Sequence, residues 1–141
     1  MFETLLPSPK IYLAQSKIYN AGRGVFAKET IAKDEVIEQC PIILLNEKET
    51  ETIRKTLLRN YYFMWGNDKN HHKAGICLGF GSLYNHSYKP NATYKKLYDQ
   101  SIITFVAIKN ITLDEEITVN YNYGNPDDKT TLWIETIPPA A

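Results

Sequence analysis

Residues 78–94 read LGFGSLYNHSYKPNATY, and no regular element accommodates that run. A helix would need apolar positions three and four apart, and a half-buried strand would need strict alternation. Gly79 and Gly81 flank Phe80, and glycine admits close backbone approach and φ angles that other residues avoid. Tyr84, Asn85, His86 and Ser87 then set an aromatic, an amide, an imidazole and a hydroxyl in succession, and Pro90 fixes the exit. Such a segment is an ordered loop whose side chains and backbone are committed to partners. Asn85 and Asn91 can also bond nearby backbone and build a plain turn, so the stretch alone leaves turn and site both open.

Short apolar runs on either side are broken by turn residues. Ile11, Tyr12 and Leu13 make a short strand, and Gly22-Arg23-Gly24 opens into the apolar run 25–27. Residues 31–34 read as a turn before a strand at 35–39; Pro41 punctuates, and residues 42–45 form another strand. The one convincing helix is predicted over 46–60. Asn46 is a good N-cap, Glu49 completes a capping-box pattern, and Ile53, Leu57 and Tyr61 recur at four-residue spacing as one apolar face. Residues 61–65 read as a buried strand or turn. Residues 92–98 and 102–108 form a hairpin about Asp99-Gln100-Ser101. Residues 115–120 are the last strand. We find no internal repeat and no interdomain linker. Many short strands, one helix and frequent Gly, Asn and Pro turns predict a mostly-β domain over residues 10–124, preceded by a flexible arm at 1–9 and followed by a short tail at 125–141.

Sixteen acidic residues balance sixteen basic ones, so no electrostatic grip on nucleic acid or an anionic membrane is expected. No run approaches the roughly twenty apolar residues of a membrane helix, and the N-terminus does not read as a secretory signal. Two distant cysteines, Cys40 and Cys77, cannot make a zinc cluster alone. They point to a reducing intracellular compartment and leave a single disulfide open. The adjacent His71 and His72 read as surface residues, and no metal is expected. Ten tyrosines suit a polar, aromatic-lined site and equally a β-rich fold.

Three signals stand in fixed order: Gly22-Arg23-Gly24-Val25-Phe26; Tyr84-Asn85-His86-Ser87 with Pro90-Asn91; and Glu115-Glu116-Ile117-Thr118-Val119-Asn120-Tyr121-Asn122-Tyr123. Together, over about residues 10–123, they resemble the SET domain of protein-lysine methyltransferases, most of all the minimal viral and short bacterial SET proteins. The resemblance implies a β-clip-like fold of small curved sheets with a knot-like C-terminal substructure and one main helix. It implies that S-adenosylmethionine binds in one pocket while the target lysine of a protein substrate, such as a histone or histone-like protein, enters a narrow channel from the opposite face.

By the same resemblance, Tyr121 is the catalytic residue, orienting amine and methyl rather than acting as a strong base. Tyr123, Tyr94 and Tyr61 line the lysine channel. Gly22, Arg23, Gly24, Tyr84, Asn85, His86 and Trp133 contact the cofactor, with core capping an equal role for Trp133. Glu116 holds the threaded segment. The dimeric habit of the viral relative implies a homodimer. The site of action is intracellular: cytoplasmic, or nuclear or host-directed. The alternative is a catalytically inactive SET-like peptide-binding module.

Overall fold

The computed structural model describes residues 2–66, 73–122 and 124–132, so the expectations for His71, His72, Tyr123 and Trp133 lie outside the described residues. Its strands form two small sheets. In the first, β1 (Ile11–Gln15) pairs antiparallel with β2 (Arg23–Ala27), placing Ile11 opposite Ala27 and Gln15 opposite Arg23. The second sheet has the order β4-β5-β3-β8-β7. Its members are β3 (Val36–Leu44), β4 (Phe63–Trp65), β5 (Lys73–Cys77), β7 (Ala92–Leu97) and β8 (Ile102–Ala107). The mostly-β reading holds, and β7 and β8 form the expected hairpin, with Ala92 opposite Ala107 and Leu97 opposite Ile102. Ser101 takes φ +52° to close it.

Two further strands complete the first sheet and carry the motifs. β9 (Glu116–Val119) runs antiparallel to β2 and parallel to the two-residue β6 (Asn85–His86), giving the order β1-β2-β9-β6. Parallel neighbours need a long connection, and here it is the whole β7–β8 hairpin. Asn91 fastens the arrangement: its Nδ2 donates to Glu116 O at 2.9 Å and its Oδ1 accepts from Thr118 N at 2.9 Å. The C-terminal motif strand is thereby bound to the segment that follows Asn85-His86-Ser87.

A repeat that the sequence reading denied organises the centre. Residues 25–37 (VFAKETIAKDEVI) and 105–117 (FVAIKNITLDEEI) make the same hydrogen bonds, each to the other. Ile31 and Ile111 exchange N–H···O bonds of 2.8 Å. Asp34 N donates to Ala107 O at 2.8 Å, and Asp114 N to Ala27 O at 2.7 Å. Ala107 N donates to Glu35 O and Ala27 N to Glu115 O, both at 3.0 Å. Asp34 and Asp114 both adopt left-handed backbone, at φ +73° and +67°, a region aspartate enters more readily than most residues. This pseudo-symmetric clasp joins the two sheets over a core of Val25, Ile31, Ile37, Phe105, Ile111 and Ile117.

Two other expectations change. Pro41 does not end a strand: β3 runs through it, pairing with β8 up to Pro41 and with β5 from Ile42 onward. The missing proline N–H falls where the strand changes partners, a tolerated place. The helix α1 spans only Glu47–Ile53; its capping box is present as expected, with Glu49 N donating to Asn46 Oδ1 at 2.8 Å and Asn46 N to Glu49 Oε1 at 3.0 Å. Thr56 stops any extension. It is extended, its hydroxyl donates to Ile53 O at 2.6 Å, and it caps a new 3-10 turn at Leu57–Asn60. The supposed apolar face is therefore not a core face: Leu57 is 71% exposed. The buried helical residue is Thr50, which accepts from Ala74 N at 2.9 Å. Among the described residues, no helix is long and apolar enough to cross a membrane.

Candidate functional site

Where β6 and the end of β9 lie side by side, a cleft of about 440 Å³ opens against the 3-10 turn after α1. Tyr61, Phe63, Tyr84, Tyr94, Lys96 and Tyr121 are among the residues that line it. Tyr94 and Lys96 project from the same face of β7, being two residues apart on one strand. The Tyr94 ring meets Phe63 edge-on at 5.2 Å.

Tyr121 is held at both ends. Its backbone N donates to His86 Nδ1 at 3.0 Å, and its hydroxyl donates to the Tyr84 carbonyl at 2.5 Å. With Nδ1 accepting, a neutral His86 carries its proton on Nε2. Although Tyr121 is 36% exposed, its hydroxyl end turns inward. Burial, followed by the nearby Tyr61 and Glu116, pushes its pKa well above the usual phenol value. The group is thus a fixed, protonated hydroxyl, suited to orienting and unsuited to removing a proton. Asn120, fully buried, builds the turn that follows: Nδ2 donates to Asp128 O at 2.6 Å and Oδ1 accepts from Asn122 N at 2.9 Å. The chain from 124 to 130 folds back onto the histidine loop, where Tyr88 Oη donates to Thr130 O at 3.1 Å.

A second constellation lies on the first sheet, at the junction of β2, β6 and β9. The Asn85 amide nitrogen donates to Arg23 O and to Glu116 Oε2, each at 2.9 Å. The Glu116 carboxylate also accepts from Ser16 Oγ, at 2.9 and 2.8 Å to its two oxygens, and from Lys17 N at 3.0 Å. Gly24 makes this possible, since a Cβ there would stand 2.4 Å from Glu116 Oε2. Gly22 takes φ +74°, with nothing within 4 Å of where a Cβ would be, so bare backbone faces open space beside Arg23. Both N–H bonds of Asn85 are directed into the protein, and its orientation leaves the carbonyl oxygen as the group on offer. The acceptors of this junction, both Glu116 carboxylate oxygens and the Arg23 carbonyl, are each engaged by a protein donor.

The structure therefore brings Tyr121, Tyr94 and Tyr61 into one cleft and Gly24, Arg23 and Asn85 into one junction, with His86 between the two. Tyr84 has its ring in the core. Its side chain is 1% exposed, stacks on Phe105 at 4.2 Å and donates to Glu38 Oε1 at 2.8 Å. Its carbonyl accepts from the Tyr121 hydroxyl, and Tyr84 is among the residues that line the cleft. The two cysteines are free and buried. Hydrogen bonding to Cys77, followed by burial, raises the Cys40 pKa far above the usual thiol value. Sequence reasoning missed Lys96, whose Nζ donates to Met64 O at 2.5 Å and whose pKa burial lowers. It also missed Glu38 as a buried carboxylate. The Tyr94-x-Lys96 spacing was the available signal for Lys96.

A family model described as SET domain matches residues 22–122. The chain is 34% identical to the histone-lysine N-methyltransferase, H3 lysine-37 specific, of Schizosaccharomyces pombe, over 81% of this chain and 71% of that protein. It is 27% identical to histone-lysine N-methyltransferase SETD7 of Halocynthia roretzi, over 93% of this chain but only 37% of the relative. Among solved structures, a proposed histone methyltransferase of Plasmodium falciparum superposes with a TM-score of 0.63 at 33% identity, covering 81% of this chain and 94% of the other. Polycomb repressive complex 2 of Chaetomium thermophilum, bound to S-adenosylmethionine, shares the fold at 22% identity with a TM-score of 0.68, over 86% of this chain and 16% of that one.

Proposed function

The chain belongs to the SET-domain family and is a lysine methyltransferase, and from that premise we propose that it moves the methyl group of S-adenosylmethionine to the side-chain amine of a lysine in a histone or histone-like protein. The observation that carries this reading is the Tyr121 hydroxyl, fixed on the Tyr84 carbonyl at the wall of a tyrosine-lined cleft. The cofactor, when bound, supplies an electrophilic methyl group on a sulfonium. The chain's own residues have three tasks: to hold that group, to admit the lysine as a neutral amine, and to align the two.

Alignment in a fixed geometry removes much of the entropic barrier to a displacement reaction. Tyr121 serves it by presenting its hydroxyl oxygen to the amine and the methyl, with Tyr94 and Tyr61 walling the channel. Deprotonation is served by the cleft itself. A free lysine has a pKa near about 10.4, and an apolar wall disfavours the ammonium. The cleft already does this to a lysine of its own, since burial lowers the pKa of Lys96. Cofactor holding falls to the Asn85 carbonyl oxygen, to His86 beside it and to the backbone of Gly22, Arg23 and Gly24, with the Glu116 carboxylate supplying negative potential nearby. A second copy of the chain completing the substrate groove belongs to this proposal, supported by the exposed Leu57 and Leu58 of the 3-10 turn whose Arg59 and Asn60 line the cleft. Only monomer at equilibrium sedimentation refutes it. A histone substrate implies a nuclear, or otherwise intracellular or host-directed, site of action.

The test pairs binding with transfer. Calorimetric titration with S-adenosylhomocysteine is expected to give saturable binding that Asn85→Ala weakens and Tyr121→Phe leaves intact. Transfer of labelled methyl to a core-histone mixture is expected to fall about a hundredfold in Tyr121→Phe, the usual scale for a lost transition-state contact. Full activity in that variant refutes the role of Tyr121. Binding without any transfer to protein lysines favours the peptide-binding module.

A further inference from the structure

The residue whose carbonyl holds Tyr121 is itself held, at its phenol end, by a buried acid. The Tyr84 phenol donates to Glu38 Oε1 at 2.8 Å, and the backbone N of Phe80 donates to Glu38 Oε2 at 3.0 Å. Tyr84 is 1% exposed and Glu38 8%. The two bonds bracket the turn from Phe80 to Tyr84, so one carboxylate fixes both ends of the segment that aims the Tyr84 carbonyl. Gly79 is cut to fit it: a Cβ there would lie 2.5 Å from Glu38 Oε2.

A buried carboxylate is a costly way to make a core. Taking such a charge from water is repaid only when hydrogen bonds satisfy it, and apolar groups of similar size often serve stability as well or better. Among the described residues the ion pairs are Lys10–Glu35 and Arg54–Glu51, and neither involves Glu38. What this acid provides that a leucine and a phenylalanine would not is direction. Stacking on Phe105 fixes the plane of the Tyr84 ring at 18°, and the bond to Glu38 fixes its far end. The carbonyl of the same residue is then presented to Tyr121 in one orientation.

We infer that Glu38 is a positioning residue for methyl transfer, acting on Tyr121 through Tyr84. This rests on the proposed role of Tyr121 and extends it to a residue outside the three motifs. Three variants test it: Glu38→Gln, Tyr84→Phe, and the double variant Tyr84→Phe/Glu38→Met, which removes the phenol and the carboxylate together and leaves the Phe80 N–H as the one group without its acceptor. The first readout needs no turnover. With tyrosine labelled at 13Cζ, the Tyr121 resonance, assigned by its loss in Tyr121→Phe, is expected to shift in all three variants. The second is kinetic, with labelled cofactor and core histones. The kcat is expected to fall about tenfold while KM for the cofactor holds within about twofold, as for loosened alignment rather than lost binding. The double variant is expected to regain part of the denaturation midpoint lost in Tyr84→Phe, the Phe80 N–H staying unpaired, without regaining kcat. An unmoved Tyr121 resonance overturns the inference, and so does a kcat that recovers along with stability. A wild-type chain that transfers no methyl overturns the proposed function instead, and the resonance alone then decides whether Glu38 holds Tyr121.

Discussion

Gly24→Ala is a small change with a large expected effect, and the size can be worked out from the junction it enters. Gly24 lies in β2 opposite Ala14 with no left-handed backbone, so alanine is conformationally acceptable there. The obstacle is the Glu116 carboxylate, with Oε2 at 2.4 Å and Cδ at 2.9 Å from the new methyl. Ordinary contact begins near 3.4 Å, so the carboxylate must retreat by about 1 Å. Oε2 holds Asn85 Nδ2 at 2.9 Å and Ser16 Oγ at 2.8 Å. A retreat of that size breaks the first and weakens the second. Hydrogen bonds to a charged group contribute about 1.5–3 kcal/mol each, so the loss is about 3 kcal/mol at this half-buried place. Alanine in place of glycine offsets about 0.4–1 kcal/mol of it by restricting the unfolded chain. The net expectation is a destabilisation of about 2–3 kcal/mol in urea denaturation, together with at least tenfold weaker S-adenosylhomocysteine binding by calorimetry, because Asn85 loses the partner that fixes its orientation. A variant within about 0.5 kcal/mol of wild type and with unchanged affinity would refute the claim that Glu116 organises this junction.

Gly81→Ala would place a methyl 2.1 Å from Cys77 Sγ and 3.0 Å from Cys40 Sγ. Overpacking of this kind costs about 1–3 kcal/mol, and Cys77→Ala in the same chain is expected to restore most of it; simply additive losses in a double-mutant cycle would contradict the packing. Stability should also fall above pH ~10. Burial first, then the neighbouring Glu38 carboxylate, raises the Tyr84 pKa, so the unfolded chain releases that proton before the folded one does. The stabilisation is complete below the ordinary phenol value and is lost as pH rises beyond it, at up to about 1.4 kcal/mol per pH unit. Denaturation midpoints from pH 9 to 11 are therefore expected to fall less steeply in Tyr84→Phe, and an identical slope in the variant would show that Tyr84 does not hold its proton.

The three motifs were legible in the sequence because their residue types are locally odd. A Gly-x-Gly, an Asn-His-Ser and a Tyr-x-Tyr do not look like core or solvent-facing strand. What escaped notice was whatever obeyed ordinary patterning on the page and broke it in space. Glu38 reads as the polar member of an alternating strand. A bulge between Val36 and Glu38 breaks the alternation, so Ile37 and Glu38 are both buried, and a register slip of one position reverses which side chains face inward. Lys96 likewise reads as a solvent lysine until its Nζ meets the Met64 carbonyl at the wall of the cleft. Leu57 and Tyr61, four apart, imitated a helix face, but Thr56 ends the helical run before them. The repeat of Ile-x-x-Asp-Glu-x-Ile at 31–37 and 111–117 was present in plain view. It has only two copies far apart, and its meaning lies in hydrogen bonds that each copy makes to the other.

The two glycine-marked motifs share a construction that explains why both contain glycine. In the first, the space a Cβ would fill at Gly24 holds the carboxylate of Glu116; in the second, the space at Gly79 holds that of Glu38. Each acid comes from a strand distant in sequence, and each ties a loop to the strand that bears it. Glu116 joins Ser16, Lys17 and Asn85, and Glu38 joins Phe80 and Tyr84. Loops are ordinarily the mobile part of a fold, yet transfer between two ligands demands that the residues between them stay fixed to within about half an ångström. A backbone turn has few side-chain contacts with which to meet that demand. A charged acceptor taking two or more hydrogen bonds supplies them, provided it can come close enough, and only a residue without a Cβ lets it. On this view Gly79 owes its place to its positive φ of +65° and to Glu38 together, whereas Gly24, with ordinary backbone, owes its place chiefly to Glu116 and then to the Asn85 amide, 3.1 Å from where a Cβ would be. The two substitutions should therefore separate: shortening the acid to alanine should make alanine easier to accept at position 24, where the obstacle is the Glu116 carboxylate, and leave the backbone penalty at position 79, where φ is +65°.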